Sequence, residues 1–311
     1  MVQPAMTGMT RLLLTAICGI GAVAFAQQAQ DYAKVEVKAQ QLADHLYMLT
    51  GAGGNMALLT GDDGAVLVDD QFAPLAPKIR AAIALLTDRP VRVVINTHWH
   101  ADHTGGNEAF GTTGSVIVAQ RNTRERMSTK QRVDLFNLEV PPAPAAALPI
   151  VTFDQSVQLH LDGEDISVEH LPHAHTDSDA VLYFAKADVV HTGDVFVQGF
   201  YPFIDVGTGG SIDGVIAGSA AVLARIGPTT RIIPGHGALA TRQDLQDYHD
   251  MLVTVRARVA TAIRKGRTLQ QVLESRPTAE FDARYARAGT RPDAWVQRVY
   301  TDLARAPRKT R

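Results

Sequence analysis

The sequence predicts an α/β fold in four layers: two β-sheets packed face to face, with helices covering both outer surfaces. Three observations carry this. The elements fall into two successive halves, each a run of short strands followed by helices, the pattern of layered α/β packing. The strands are short apolar runs separated by Gly or Asp-Gly punctuation, which marks meanders rather than βαβ repeats. With 311 residues, 46% of them hydrophobic, the chain can also bury a large core.

The chain opens with an export-type segment. Arg11 supplies a positive start, 12–25 is an uncharged apolar run, and Ala24-Phe25-Ala26 has the A-x-A form of a cleavage site. The run is short for a membrane span. Residues 1–26 are therefore expected to be a signal peptide, and 27–311 a single domain with a helical C-terminal extension. Localisation would be periplasmic or secreted. Cys18 lies inside the apolar run behind Ile17, which is too large for a lipoprotein signal.

The first half has expected strands at 34–38, 46–50, 56–60 and 65–68. A helix at 74–86 places Leu75, Ile79, Ile83 and Leu86 at helical spacing. A buried strand at 91–95 follows, then a short helix at 107–110, a strand at 115–119 and a polar helix at 122–129. The Pro/Ala-rich stretch 140–149 excludes regular structure and reads as a long loop. The second half has strands at 158–161, 166–170, 180–184 and 189–191, a helix at 212–226 and a strand at 231–233. Helices at 244–263, 269–274 and 293–305 complete it. They either pack on the domain or form a dimer contact, so the oligomeric state stays open.

Composition narrows the chemistry. Thirty basic against 32 acidic residues give no electrostatic footprint for nucleic acid. One cysteine beside eleven histidines excludes a disulfide framework and a cysteine metal cluster. Any metal site must be imidazole and carboxylate.

The segment Thr97-His98-Trp99-His100-Ala101-Asp102-His103-Thr104-Gly105-Gly106 follows the strand at 91–95. His98 and His100, two apart at the end of a strand, project to one side and can share an ion. Asp102 and His103 come after the chain turns and can face a second ion. Trp99 points the other way, so its expected job is packing.

This segment resembles the signature of the metallo-β-lactamase superfamily. Pro172-His173-Ala174-His175-Thr176-Asp177, Thr192-Gly193-Asp194 and Pro234-Gly235-His236-Gly237 follow in that family's order. The resemblance covers nearly the whole chain after the export segment and implies an αββα sandwich. It implies a first metal site of His98, His100 and His175 and a second of Asp102, His103 and His236. Asp194 would be the bridging or second-site carboxylate. Two Zn2+ ions per chain are implied, with Fe or Mn also suited to these ligands. His173 and His191 fall outside the ligand set. His45, His160, His170 and His249 are read as ordinary surface or packing residues, and Asp177 and Asp179 as orienting carboxylates.

The implied chemistry is hydrolysis of a small-molecule substrate by metal-activated water, with Asp102 as the catalytic carboxylate orienting it. The first reading is an exported, β-lactamase-like hydrolase that opens a cyclic amide or related acyl bond. The second is an exported lactonase or (thio)esterase, favoured by aspartate rather than cysteine at 194. A di-iron oxidoreductase and a non-catalytic binding protein are further classes; the latter usually loses ligands, and here all the positions are filled. The segments 127–149 and 196–204 are expected to border the site, with Tyr201 either a hydrogen-bond donor to a substrate oxyanion or part of an aromatic patch closing the cleft.

Overall fold

The computed structural model describes residues 31–133, 138–287 and 291–305. Residues 1–26, the expected signal peptide with Arg11 and Cys18, lie outside the described residues.

The first sheet begins with strands β1 (Lys38–Ala43), β2 (Leu46–Thr50), β3 (Met56–Leu59) and β4 (Ala65–Val68), an antiparallel meander. Helix α1 (Ala76–Ala84) crosses over to β5 (Val91–Asn96), parallel to β4. Short helices α2 (Ala101–Thr104) and α3 (Asn107–Gly111) lead to β6 (Val116–Gln120), and α4 (Arg121–Met127) follows. A separate hairpin, β7 (Gln131–Val133) and β8 (Leu138–Val140), precedes β9 (Val151–Phe153), which joins the sheet beside β6. The seven-stranded order is β1-β2-β3-β4-β5-β6-β9.

The second sheet is five-stranded: β10 (Ser156–Leu161), β11 (Glu164–His170), β12 (Ala180–Phe184), β13 (Val189–His191) and β14 (Arg231–Ile233), in that spatial order. Helix α5 (Ile212–Arg225) forms the crossover that makes β13 and β14 parallel. Helices α6 (Arg242–Arg264), α7 (Leu269–Glu274), α8 (Asp282–Tyr285) and α9 (Pro292–Ala304) follow. Their starts are written in the sequence. Ser211 caps α5, Thr241 with Asp244 and Thr268 with Gln271 form capping boxes on α6 and α7, and Pro292 opens α9.

Three apolar cores define the four layers. Strand alternation sends Met56, Leu58 and Leu67 outward onto Leu75, Ile79 and Ile83 of the α1 region. It sends Ala57, Leu59, Val66 and Val68 inward to meet Val168, Leu182, Phe184 and Ile233 of the second sheet. The outer face of that sheet, with Val181 and Val190, packs on Val215, Leu252, Val255 and Val299 of the helices. Strands β3 and β4 are buried on both faces, which is why they read as unbroken apolar runs rather than alternating ones.

Three expectations are corrected. The strand expected at 34–38 is instead the end of a 3-10 turn, Tyr32–Lys34, then three residues outside any regular element, with Lys38 opening β1. Lys78 Nζ takes the carbonyls of Ala33 and Val35 at 2.6 and 2.7 Å, and Tyr32 packs on Phe72, so α1 claims this segment. The true first strand is mostly exposed and carries little apolar pattern. The hairpin β7–β8 and the edge strand β9 are also additional to the expected elements; their strands are three residues each, too short for a periodicity. Among the described residues no helix is long and apolar enough to cross a membrane.

Candidate metal centre

Strand direction brings the site together at one rim. On the first sheet, β4 and β5 are parallel and end there, at Val68 and Asn96, while the antiparallel β3 starts there. On the second sheet, β13 and β14 both end at the rim where β12 begins. Each expected ligand sits on a loop or short helical turn leaving or entering this rim. The sheets are tied across it by Ala180 N–H donating to Thr97 O (2.7 Å) and Asn55 N–H donating to Gly235 O (2.7 Å).

All seven expected ligands converge. In the first set His98 Nε2 and His175 Nε2 lie 3.2 and 2.8 Å from His100 Nδ1. These three histidines are buried, and their ligand atoms fall within one metal-sized cluster. The proximity of His98 and His100 comes from a bend after β5, not from strand alternation as the sequence suggested. In the second set, carried partly by α2, His236 Nε2 is 3.2 Å from Asp102 Oδ2 and 3.4 Å from His103 Nε2. Asp194 spans the two. Its Oδ1 is 3.2 Å from His103 and 3.5 Å from His236, and its Oδ2 is 3.6 Å from His175.

The ring nitrogens turned away from the clusters are held by other groups. His100 Nε2 meets Asp205 Oδ2 at 3.1 Å, His175 Nδ1 donates to Phe203 O at 2.6 Å, and His103 Nδ1 meets Asp69 Oδ2 at 2.7 Å. His98 Nδ1 lies 3.0 Å from Thr97 Oγ1. Such outer partners fix the tautomer and aim the free nitrogen inward, as metal-ligating histidines require.

The two sets differ in charge state. Burial, then His103 and His175, push His98 well below the ordinary histidine range. Burial lowers His175 to about 4. These are neutral imidazoles, the form that ligates metal. In the second set burial is outweighed by carboxylates. Asp194 and Asp102 lift His236 to about 10, and Asp194, Asp102 and Asp69 raise His103 well above its usual value. Against their own burial, His103 and His236 hold Asp102 and Asp194 low. Protons on histidines balance the buried carboxylates here; a dication would do so instead and free both imidazoles to ligate. Asp194 Oδ1 is buried and its contacts among the described residues are the ring nitrogens of His103 and His236 rather than well-formed hydrogen bonds, a place a cation would fill. The residues therefore fit two ions bound through nitrogen and oxygen.

Several supporting residues carry no motif and were missed by sequence reasoning. Asp69 follows β4 with left-handed backbone (φ 58°) and accepts from Thr97 N and Oγ1 as well as facing His103. Asn55 Nδ2 donates to Pro234 O and Gly237 O at 2.8 and 2.9 Å, clamping the turn that presents His236. Gly54, which reads as part of a plain glycine turn, lies against His103; a Cβ there would come 2.1 Å from the ring. The available signal was polar residues directly after apolar strands, at the ends where α/β sites form.

The remaining expectations sort cleanly. Trp99 packs with Met127, Val133 and Ala147. Asp179 accepts from Thr176 N and Oγ1 and so locks the turn after His175. Asp177 pairs with Arg126 at 2.5 Å. His173 is exposed and directed to Gly209 O, and His191 is buried between Asn55 O and Gly193 N. Tyr201 is a correction. It is 3% exposed, stacks on Trp295 at 4.5 Å, and donates to Asp282 Oδ1 at 2.8 Å, so its hydroxyl is already committed. From the segment 196–204 it is Phe203 that borders the centre, its ring 5.7 Å from that of His100 and 5.5 Å from that of His175.

Comparison with known proteins agrees with this fold. A hydroxyacylglutathione hydrolase from Polaromonas sp. (strain JS666 / ATCC BAA-500) is 26% identical over 190 residues, 58% of this chain and 61% of that protein. The alpha subunit of a 2,4-dinitroanisole O-demethylase from Nocardioides sp. (strain JS1661) is 24% identical over 44% of this chain and 42% of its own length. The chain thus matches less than two thirds of either relative. Among solved structures, a metallo-beta-lactamase from Pontibacter korlensis superposes with a TM-score of 0.56 at 18% identity, over 70% of this chain and 99% of its own. A stereoselective inverting sec-alkylsulfatase from Pseudomonas sp. gives 0.61 at 19% identity, over 85% of this chain and 50% of its own. The sequence profile of the Metallo-beta-lactamase superfamily matches residues 49–236, a stretch that contains every residue of both donor sets. With its four layers, its rim of loops and that match, this chain belongs to the metallo-β-lactamase superfamily.

Proposed function

We propose that the chain is an exported, dinuclear metal-dependent hydrolase, β-lactamase-like, that opens a cyclic amide or related acyl bond. One observation carries the reading: two donor sets share Asp194, with one carboxylate oxygen turned to each. Ions bound there would polarise the scissile bond and lower the pKa of water between them. The protein's part is positional. Asp205, the Phe203 carbonyl and Asp69 hold the imidazoles in register. Asp102, held anionic, offers an acceptor at the second set that can orient an attacking water.

A lactonase or (thio)esterase on the same centre is the second reading. Aspartate at 194 and the similarity to a hydroxyacylglutathione hydrolase favour it. A di-iron oxidoreductase is the third, since these ligands also suit iron.

A hydrolysis panel on metal-loaded protein separates them: a chromogenic β-lactam, an acyl lactone, a thioester, a phosphodiester and a secondary alkyl sulfate. Turnover of the lactam supports the first reading, and turnover of lactone or thioester alone the second. No turnover, with iron and a visible absorption band in protein from its native compartment, supports the third. Export is tested by sequencing the mature N-terminus, expected at Gln27. A retained Met1 in the cytoplasmic fraction refutes it.

A further inference from the structure

Helix α9 carries a cation to the edge of the metal centre. Trp295, Val296 and Val299 anchor the helix in the outer core, and Arg298 lies half-buried beside them. Its guanidinium carbon sits 5.1 Å from the centroid of the Phe203 ring. That ring lies against His100 and His175, and the Phe203 carbonyl holds His175 Nδ1. One aromatic ring therefore separates Arg298 from the first donor set.

The arginine is short of a partner. Among the described residues its guanidinium makes no hydrogen bond and no ion pair; cation–π contact with Phe203 is its close interaction. Burial lowers it somewhat from the ordinary arginine value, and the nearby charge of Asp205 only partly offsets this. Other arginines are committed: Arg126 to Asp177, Arg256 to Asp213, Arg258 to Glu280, and Arg284 to Asp244 and Asp247. Half-buried guanidinium groups usually find a carboxylate, because five donors in a planar fork are costly to leave unmet.

We propose that Arg298 is the specificity-determining residue that binds a carboxylate carried by the substrate, placing an anionic acyl compound against the first donor set. Phe203 is the platform that holds the guanidinium in place. The inference rests on the hydrolase reading for the word acyl, but not for the anion. Arg298 lies beyond the stretch matched by the superfamily profile, so this preference belongs to the C-terminal helices of this chain.

The test uses zinc-loaded full-length protein and matched thiols: 3-mercaptopropionate with 3-mercapto-1-propanol, and their four-carbon homologues. The sulfur can reach metal in every case, and only the carboxylate differs. Calorimetry on the wild type is expected to show a preference for at least one mercaptocarboxylate of about tenfold, the scale of one charged hydrogen-bonded pair. Arg298→Met keeps the apolar stem, and should abolish the preference while leaving neutral-thiol affinity and zinc content unchanged. Arg298→Lys should retain part of it, having the charge but not the fork. A preference that survives in Arg298→Met overturns the proposal. So does equal loss for both thiols, which would mean that Arg298 only props Phe203. If no acyl substrate in the panel is hydrolysed, the acyl-hydrolase reading falls and the thiol comparison still decides the role of Arg298.

Discussion

The two halves of the molecule build the centre in opposite ways. The first half delivers His98, His100, Asp102 and His103 from one bend and the single turn of α2 behind it. The second half delivers His175, Asp194 and His236 from three loops, brought together only because β12, β13 and β14 lie side by side and share a rim. One contribution is local, and survives as a motif. The other is tertiary, and depends on sheet order and on clamps such as Asn55. Placement of the ligands from the second half is therefore coupled to folding more tightly than placement of those from the first.

Ligand removal tests that difference most severely. His98→Ala and Asp102→Ala should each lower hydrolysis on the order of a thousandfold, since a metal supplies several kcal/mol of transition-state stabilisation. Full activity with full metal content in either variant would sink the two-ion mechanism. Next are the outer residues. Asp205→Ala should weaken the ion of the first set about 10–100-fold in affinity and spare the second. Asn55→Ala should do the reverse, by releasing the turn under His236. Competitive metal titration reads both; equal losses at the two ions in either variant would erase the distinction between the two donor sets.

Gly235→Ala probes the tertiary side by crowding. A Cβ there would meet Asp194 Oδ1 at 2.0 Å and Gly193 C at 2.6 Å. A loss of about 1–3 kcal/mol in chemical denaturation is expected, as for other overpacked sites. An unchanged midpoint would show that the rim is looser than this geometry.

The smallest effect is on pH dependence in metal-free protein. His175, lowered to about 4, contributes stability that is present above its unfolded value near 6.5 and lost as pH falls through about 4. His236, raised to about 10, contributes stability that is present below 6.5 and lost as pH rises through about 10. Thermal melts across pH should show His175→Gln flattening the acid limb and His236→Gln the alkaline limb. Parallel curves for both variants would contradict the charge states assigned to the two sets.

Much of this was legible in the sequence, for physical reasons that differ by residue. Strands β3 and β4 announce themselves because burial on both faces leaves only apolar side chains, and β5 does so through the apolar run 93–95. His98 to His103 are legible because their donors are close in sequence. His175, Asp194 and His236 needed the resemblance, because nothing local to them shows that they meet. Strand β1 was misplaced because an exposed edge needs no apolar alternation. Asp69, Asn55 and Asp205 were invisible because their role lies in hydrogen bonds to residues far along the chain. Tyr201 misled because an aromatic hydroxyl near the site looks the same in sequence whether it faces substrate or Asp282.

Asp69 has a consequence for how this protein tolerates change. It donates nothing to the centre, yet its two oxygens grip Thr97, whose hydroxyl steadies His98, and the ring of His103. One residue from each donor set thus leans on the same carboxylate. Under the two-ion reading, loss of this carboxylate would loosen both ion positions together. Under that reading the two positions stand or fall as a unit.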